Sequence, residues 1–136
     1  MKPQLGRVAI VGVGLIGGSL GMSLCARGLA TEVVGLGSRP ENLRLALELG
    51  AINRIAVTPA TGVTGADLVI IATPVSAVIP ALDNVLPYLS RGAVVTDVGS
   101  VKAEIVRRAE NMLPPGVSFV GGHPMAGSEK AGYENS

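Results

Sequence analysis

The stretch Gly12-Val13-Gly14-Leu15-Ile16-Gly17 decides the fold of this 136-residue chain. An apolar run, Arg7–Val13, leads into it and predicts a buried strand, and a helical pattern follows in which Ile16, Leu20 and Leu24 recur every four residues. Glycines at these spacings permit a tight turn, close approach of the backbone to a pyrophosphate, and close packing of the helix on the strand. Backbone N–H groups at the start of the helix would then bind the phosphates. We therefore assign these residues to the binding of a dinucleotide: Gly12, Gly14, Leu15, Ile16 and Gly17.

Strand and helix patterns alternate along most of the chain. Further strands are predicted at Glu32–Leu36, Ile52–Val57, Asp67–Thr73, Ala93–Val98 and Val117–Gly121. Helices are predicted from Pro40 to about Gly50 with Leu43, Leu47 and Ala51 on the apolar stripe, at Val75–Leu89 and at Val101–Leu113, and Thr58–Gly65 is predicted to be a turn-rich connection. This alternation predicts an α/β fold of the Rossmann type, a doubly wound and mainly parallel sheet with helices on both faces, over residues 1–136.

The composition excludes several classes of function. Apolar residues make up 48% of the chain but aromatic residues only 2%, and the net charge is +1 with no basic block, so a nucleic-acid partner is not expected. The single cysteine, Cys25, excludes an internal disulfide and a multi-cysteine metal site, and its place in an apolar helical pattern predicts that it fills core space. No metal is expected. The sequence shows neither a signal peptide nor a membrane span, so a cytoplasmic location is expected.

The cofactor type depends on the residues that follow the second strand. An acidic residue about 20 positions after the glycine turn would bind the ribose 2′-hydroxyl of NAD. Here no acid occurs between Glu32 and Glu41, and the chain instead has Gly37, Ser38 and Arg39. A serine hydroxyl and a guanidinium can bind a 2′-phosphate, so NADP is favoured over NAD. The alternative is that Arg39 is an ordinary solvated loop cation.

Polar residues gather where the last three predicted strands end, which is the edge at which parallel sheets bind ligands. Thr73-Pro74 ends the fourth strand and is assigned to cofactor binding; Asp97 ends the fifth and could contact the ribose or cap the loop. Ser100 could cap the next helix and also orient an imidazole, and Lys102 could meet an anionic substrate. His123, the only histidine, follows the sixth strand and is suited to accept a proton near neutral pH.

Four stretches together resemble the prephenate and arogenate dehydrogenases of tyrosine biosynthesis. They are Val11–Ser19, Ala72–Val75, Thr96–Lys102 and Gly121–Lys130, and the last is the most specific of them. The resemblance implies oxidative decarboxylation, of prephenate to 4-hydroxyphenylpyruvate or of arogenate to tyrosine, with hydride transfer to NAD or NADP. The sequence does not choose between the two substrates.

The resemblance also implies roles for single residues. His123 would bond the substrate's 4-hydroxyl and take its proton, Ser100 would orient His123, and Ser128 and Glu129 would lie in a loop beside the substrate. NAD-specific members commonly have an acid where this chain has Gly37. The family's second, helical domain, which dimerises and completes the substrate site, is absent from these 136 residues, so a homodimer is expected only through that domain.

Two other functions are also compatible with the sequence. One is a different reductase of the same fold, acting on 3-hydroxy acids or imines. The other is a non-catalytic module that senses a dinucleotide, which would need the glycine turn but not His123, Ser100 or Lys102.

Overall fold

The structure is a computed structural model that describes residues 5–98 and 103–121. Within these ranges six strands form one parallel sheet in the order β3-β2-β1-β4-β5-β6. The strands are β1 (Leu5–Val11), β2 (Ala30–Leu36), β3 (Arg54–Ile55), β4 (Ala66–Ile71), β5 (Val94–Asp97) and β6 (Ser118–Val120). The helices are α1 (Leu15–Ala26), α2 (Pro40–Glu48), α3 (Pro59–Val63), α4 (Val78–Val85) and α5 (Ala103–Met112). The predicted doubly wound α/β fold is confirmed.

Strand β1 lies at the centre of the sheet, where the strand order reverses. Its residues Val8, Ala9 and Ile10 are fully buried, as an apolar run covered by helices on both faces should be. Val11 pairs with Leu36 of β2 on one side and with Ile71 of β4 on the other. The three strands therefore end level with one another, which places the segments that follow them at one edge of the sheet.

The core has two apolar layers, one on each face of the sheet. The first contains α2 residues Leu43 and Ala46 together with Ile10. The second is larger and contains Leu82 of α4 and Phe119 of β6. Helices thus cover both faces, as the sequence pattern predicts.

Helix α1 approaches the sheet through glycine, which corrects the predicted apolar stripe. Its buried residues are Gly17 and Gly21, whereas Ile16 is 54% exposed and Leu20 is only partly buried. A side chain at Gly21 would collide with the carbonyl oxygen of Ala51. Glycines, and not the apolar side chains predicted to face the sheet, therefore set the distance between this helix and the sheet.

The segment between α2 and β4 differs from the prediction in two places. Strand β3 is two residues long because the side chain of Asn53 replaces a backbone group in the hydrogen bonding to β2. The backbone N–H of Asn53 donates to the carbonyl oxygen of Val33 at 2.7 Å, but it is the side-chain Oδ1 that accepts the N–H of Val33, also at 2.7 Å. The predicted connection Thr58–Gly65 contains α3, which begins at a reciprocal capping box between Thr58 and Thr61. Threonine is common in turns as well as at helix caps, so these two residues by themselves do not predict a helix start.

The predicted helix Val75–Leu89 is divided into three pieces. A 3₁₀ turn at Val75–Ala77 precedes α4, and a second one, Leu86–Tyr88, follows it. Pro80 is tolerated because it lies in the first turn of α4, whereas Pro87 has no N–H to continue the helical hydrogen bonds. In α2 the predicted stripe is also partly wrong, because Leu47 is 42% exposed.

The described residues include no helix that is long and apolar enough to cross a bilayer. They also include no group of three His, Cys, Asp or Glu residues that could bind a metal ion. Cys25 is partly buried, and burial raises the pKa of its thiol. The predicted Ser100 cap and the tail from residue 122 lie outside the described residues.

Candidate nucleotide-binding site

The glycine turn closes the end of β1 against its two neighbours. Gly12 has a φ of +92°, which residues other than glycine rarely adopt. Its N–H donates to the carbonyl oxygen of Leu36 at 2.8 Å. The carbonyl oxygen of Gly12 then accepts the N–H of Gly14 at 3.0 Å. A Cβ at Gly12 would lie 2.9 Å from Cγ2 of Thr73, so the turn also packs tightly on the end of β4.

The start of α1 is open toward the cleft beyond this turn. No side chain caps the helix, and its first N–H groups, at Leu15, Ile16 and Gly17, have no partner within the helix. A Cβ at Gly14 would meet nothing within 4 Å, whereas one at Gly17 would lie 2.6 Å from the carbonyl oxygen of Gly12. Gly14 therefore leaves free space in front of uncapped N–H groups and the positive end of the helix dipole. Those features fit an anionic diphosphate.

A cleft of about 200 Å³ joins the turn to the ends of β2 and β4. It is lined by Gly12, Val13 and Gly14, by Gly37, Ser38, Arg39, Asn42 and Leu43, and by Ala72, Thr73 and Pro74. The structure thus brings together six residues that the sequence assigns to the cofactor: Gly12, Gly14, Ser38, Arg39, Thr73 and Pro74. Three further assigned residues, Leu15, Ile16 and Gly17, follow the turn in α1 but do not line this cleft.

Arg39 contributes its backbone to α2 and its side chain to the solvent-facing side of the cleft. Its carbonyl oxygen accepts the N–H groups of Asn42 and Leu43 at 3.1 and 3.2 Å. The side chain is exposed, and in the described part of the chain the ion pairs join Arg7 and Arg54 to Glu32 and do not involve Arg39. Its guanidinium is therefore available to an anion at the start of α2.

Thr73 places a hydroxyl behind the glycine turn. Its Oγ1 is buried and has no hydrogen-bond partner among the described residues. A buried hydroxyl without a partner is costly, so a ligand atom that could bond to it would be stabilised there.

Asp97 lies apart from this cleft. It ends β5, pairs with Ile71 of β4, and is 1% exposed. It does not line the cleft, so its predicted contact with the ribose stays a prediction.

The sequence interpretation missed Asn42, which lines the cleft from the first turn of α2. Helical spacing could have found it, because Asn42 follows Arg39 by three residues and residues at that spacing share a helix face. Five residues assigned to catalysis or substrate binding lie outside the described residues: Ser100, Lys102, His123, Ser128 and Glu129.

Comparison with known proteins assigns this chain to a family. The family described as "Prephenate dehydrogenase, nucleotide-binding domain" matches residues 20–136. The chain belongs to this family. The match begins within α1, so the assignment of the glycine turn depends on its own geometry and not on this match. The resemblance inferred from the four sequence stretches is confirmed.

Individual relatives of this nucleotide-binding domain agree with the family. Prephenate dehydrogenase of Bacillus subtilis strain 168 is 38% identical over 133 residues, 97% of this chain but only 36% of the relative. A solved prephenate dehydrogenase from A. aeolicus, in complex with hydroxyphenyl propionate and NAD+, has a TM-score of 0.76 at 34% identity, over 86% of this chain and 41% of the other. Synechocystis arogenate dehydrogenase has a TM-score of 0.76 at 30% identity, over 85% of this chain and 39% of the other. The chain therefore spans well under half the length of these relatives.

Proposed function

We propose that this chain is the cofactor-binding domain of a dehydrogenase that oxidatively decarboxylates prephenate or arogenate. The observation that carries the proposal is the cleft of about 200 Å³ in which the glycine turn, the end of β2 and the end of β4 meet. The family assignment supports it. The nicotinamide dinucleotide would lie with its diphosphate at Gly14 and the start of α1.

Three residues of the cleft support the proposal that the cofactor is NADP rather than NAD. Where an acid would repel a 2′-phosphate, the chain has Gly37, and Ser38 and Arg39 lie beside it in the same cleft. Glu41 lies in the first turn of α2 but does not line the cleft. A charge-assisted contact of Arg39 to the phosphate is worth about 1.5–3 kcal/mol, or roughly tenfold to a hundredfold in affinity.

The reaction would depend on residues that follow β5 and β6 along the chain. The bound nicotinamide would supply the hydride acceptor. His123 would take the proton of the substrate's 4-hydroxyl, Ser100 would orient the imidazole, and Lys102 would attract a substrate carboxylate. Ser128 and Glu129 would border the substrate, and Asp97 would contact a ribose. Removal of the hydroxyl proton raises the hydride-donating power of that carbon, and aromatisation of the ring favours loss of carbon dioxide.

A titration with both cofactors tests the choice of NADP. NADP should bind tenfold to a hundredfold more tightly than NAD, and Arg39→Ala should remove most of that difference while leaving NAD affinity unchanged. Arg44→Ala is the matched control, because Arg44 is an exposed arginine of the same helix that does not line the cleft. Equal affinity for the two cofactors, with Arg39→Ala neutral for both, would refute the preference.

A second domain belongs to the proposal as well. The helical domain that the resemblance implies would close the site and form a homodimer. Both that domain and the cytoplasmic location expected from the sequence stay predictions.

A further inference from the structure

A second cleft, of about 330 Å³, lies on the other side of the end of β2. It shares Gly12, Gly37, Ser38 and Thr73 with the first cleft, so a ligand bound in one can continue into the other. The other lining residues come from the ends of β1 and β2, from the β3–α3 segment and from α4: Val11, Leu36, Ala56, Val57, Thr58, Pro59, Ala81, Asn84 and Val85.

The lining of this second cleft is mostly apolar. The β3–α3 segment contributes Val57 and Pro59 to one wall, and α4 contributes Ala81 and Val85 to another. The hydroxyl of Thr58, which also lines the cleft, is engaged in the capping box of α3. Such walls suit the faces of a flat aromatic ring better than a sugar or a phosphate.

Asn84 of α4 brings an amide to this apolar cleft. Among the described residues its side chain makes no hydrogen bond, so both its carbonyl oxygen and its NH₂ group are available to a ligand. Its neighbour on the helix, Asp83, does not line the cleft.

We propose that Asn84 is a specificity-determining residue that reads the base of the dinucleotide and selects adenine. The inference rests on the proposed function, because it needs a dinucleotide whose phosphates occupy the first cleft. An amide pairs with adenine through two hydrogen bonds: its oxygen accepts from the N6 amine, and its NH₂ donates to N7. Hypoxanthine presents two acceptors, O6 and N7, at the same edge. The amide NH₂ can still donate to one of these acceptors. The amide oxygen then finds no donor at that edge, so one hydrogen bond is lost.

The experiment measures the binding of NADP and of its hypoxanthine analogue to the full-length protein. The protein should prefer NADP by about three- to tenfold, the size expected from one hydrogen bond at a partly solvated site. Asn84→Ala should bind the two ligands within about twofold of each other. Asp83→Ala, which changes an exposed neighbour on the same helix that does not line the cleft, should keep the preference. Thermal unfolding of both variants checks that α4 remains folded.

The possible binding results distinguish the role of Asn84 from the proposed function. Equal binding of NADP and the analogue by the unmodified protein overturns the role of Asn84 and leaves the proposed function in place, as does an undiminished preference in folded Asn84→Ala. Failure of the protein to bind NADP, NAD and the analogue alike overturns the proposed function, and the role of Asn84 with it.

Discussion

Replacement of Gly14 by alanine should separate cofactor binding from stability. Gly14 has a φ of −111° and a ψ of −144°, a combination outside the well-populated β region, and a Cβ there would meet nothing within 4 Å. The sparsely populated backbone costs alanine about 1 kcal/mol or somewhat more. The freedom that the unfolded chain loses offsets about 0.4–1 kcal/mol of this cost, so the stability of the protein should change little. The same methyl group would occupy the space in front of the first N–H groups of α1. Loss of one charge-assisted phosphate hydrogen bond there costs about 1.5–3 kcal/mol, so NADP affinity should fall roughly tenfold to a hundredfold.

Calorimetric titration with NADP and thermal unfolding together measure the two effects. Gly18→Ala is the matched control: a Cβ at Gly18 also meets nothing within 4 Å, but the residue lies inside α1. It should stabilise the helix by about 0.5–1 kcal/mol and leave affinity unchanged. Gly17→Ala should instead destabilise the protein, because its Cβ would lie 2.6 Å from the carbonyl oxygen of Gly12. If Gly14→Ala bound NADP as tightly as Gly18→Ala does, the diphosphate would not lie where we place it.

Three further predictions concern the cofactor type, the chemistry and the stability of the sheet. A Cβ at Gly37 would make only ordinary contacts, the nearest at 3.7 Å to Cδ2 of Leu43, so Gly37→Asp should fold normally and weaken NADP roughly tenfold or more relative to NAD in a binding titration. His123→Asn in the full-length enzyme should lower turnover about 100-fold or more with unchanged cofactor affinity, and near-normal turnover in a steady-state assay would refute its role in proton transfer. Arg54 and then Arg7 lower the pKa of Glu32, so the two ion pairs stabilise the folded state above the pKa of the unfolded glutamate, and this stabilisation is lost as the pH falls through the lower, folded-state pKa. Glu32→Gln should cost about 0.5–1 kcal/mol near pH 7, because these pairs are partly exposed, and denaturant unfolding of the variant and the parent should agree once the carboxyl is protonated.

Several features could be predicted from the sequence because they depend on local chemistry. The glycine turn must begin with a residue that adopts a left-handed φ, and Gly12 does so. The buried run of β1 has no polar residue from Val8 to Val11, and such a run is stable only between two covered faces. The place of Ser38 and Arg39 after β2 follows from strand–helix alternation alone.

Other local features were predicted wrongly because the pattern was ambiguous. The helix predicted at Val75–Leu89 contains two prolines, and only the one in the first turn of α4 is compatible with a continuous helix. The α3 capping box uses threonine at both ends, and threonine is common in turns as well as at caps.

The sequence by itself determined the fold class, the phosphate-binding turn and the type of residue at each strand end, because these depend on periodicity, on glycine conformation and on the order of elements along the chain. Only the tertiary structure decided which side chains share a cleft. Asn42 reaches the first cleft and Asn84 the second because the sheet brings α2 and α4 to the end of β1, although the two residues follow Val11 by 31 and 73 positions along the chain. The close approach of α1 to the sheet was likewise decided in three dimensions. Gly21 appears in the sequence as a weak point in a helix, and its reason is a carbonyl oxygen of Ala51, 30 residues further along the chain. A sequence pattern reports what one residue and its near neighbours favour, whereas packing distance depends on residues that meet only when the sheet has formed.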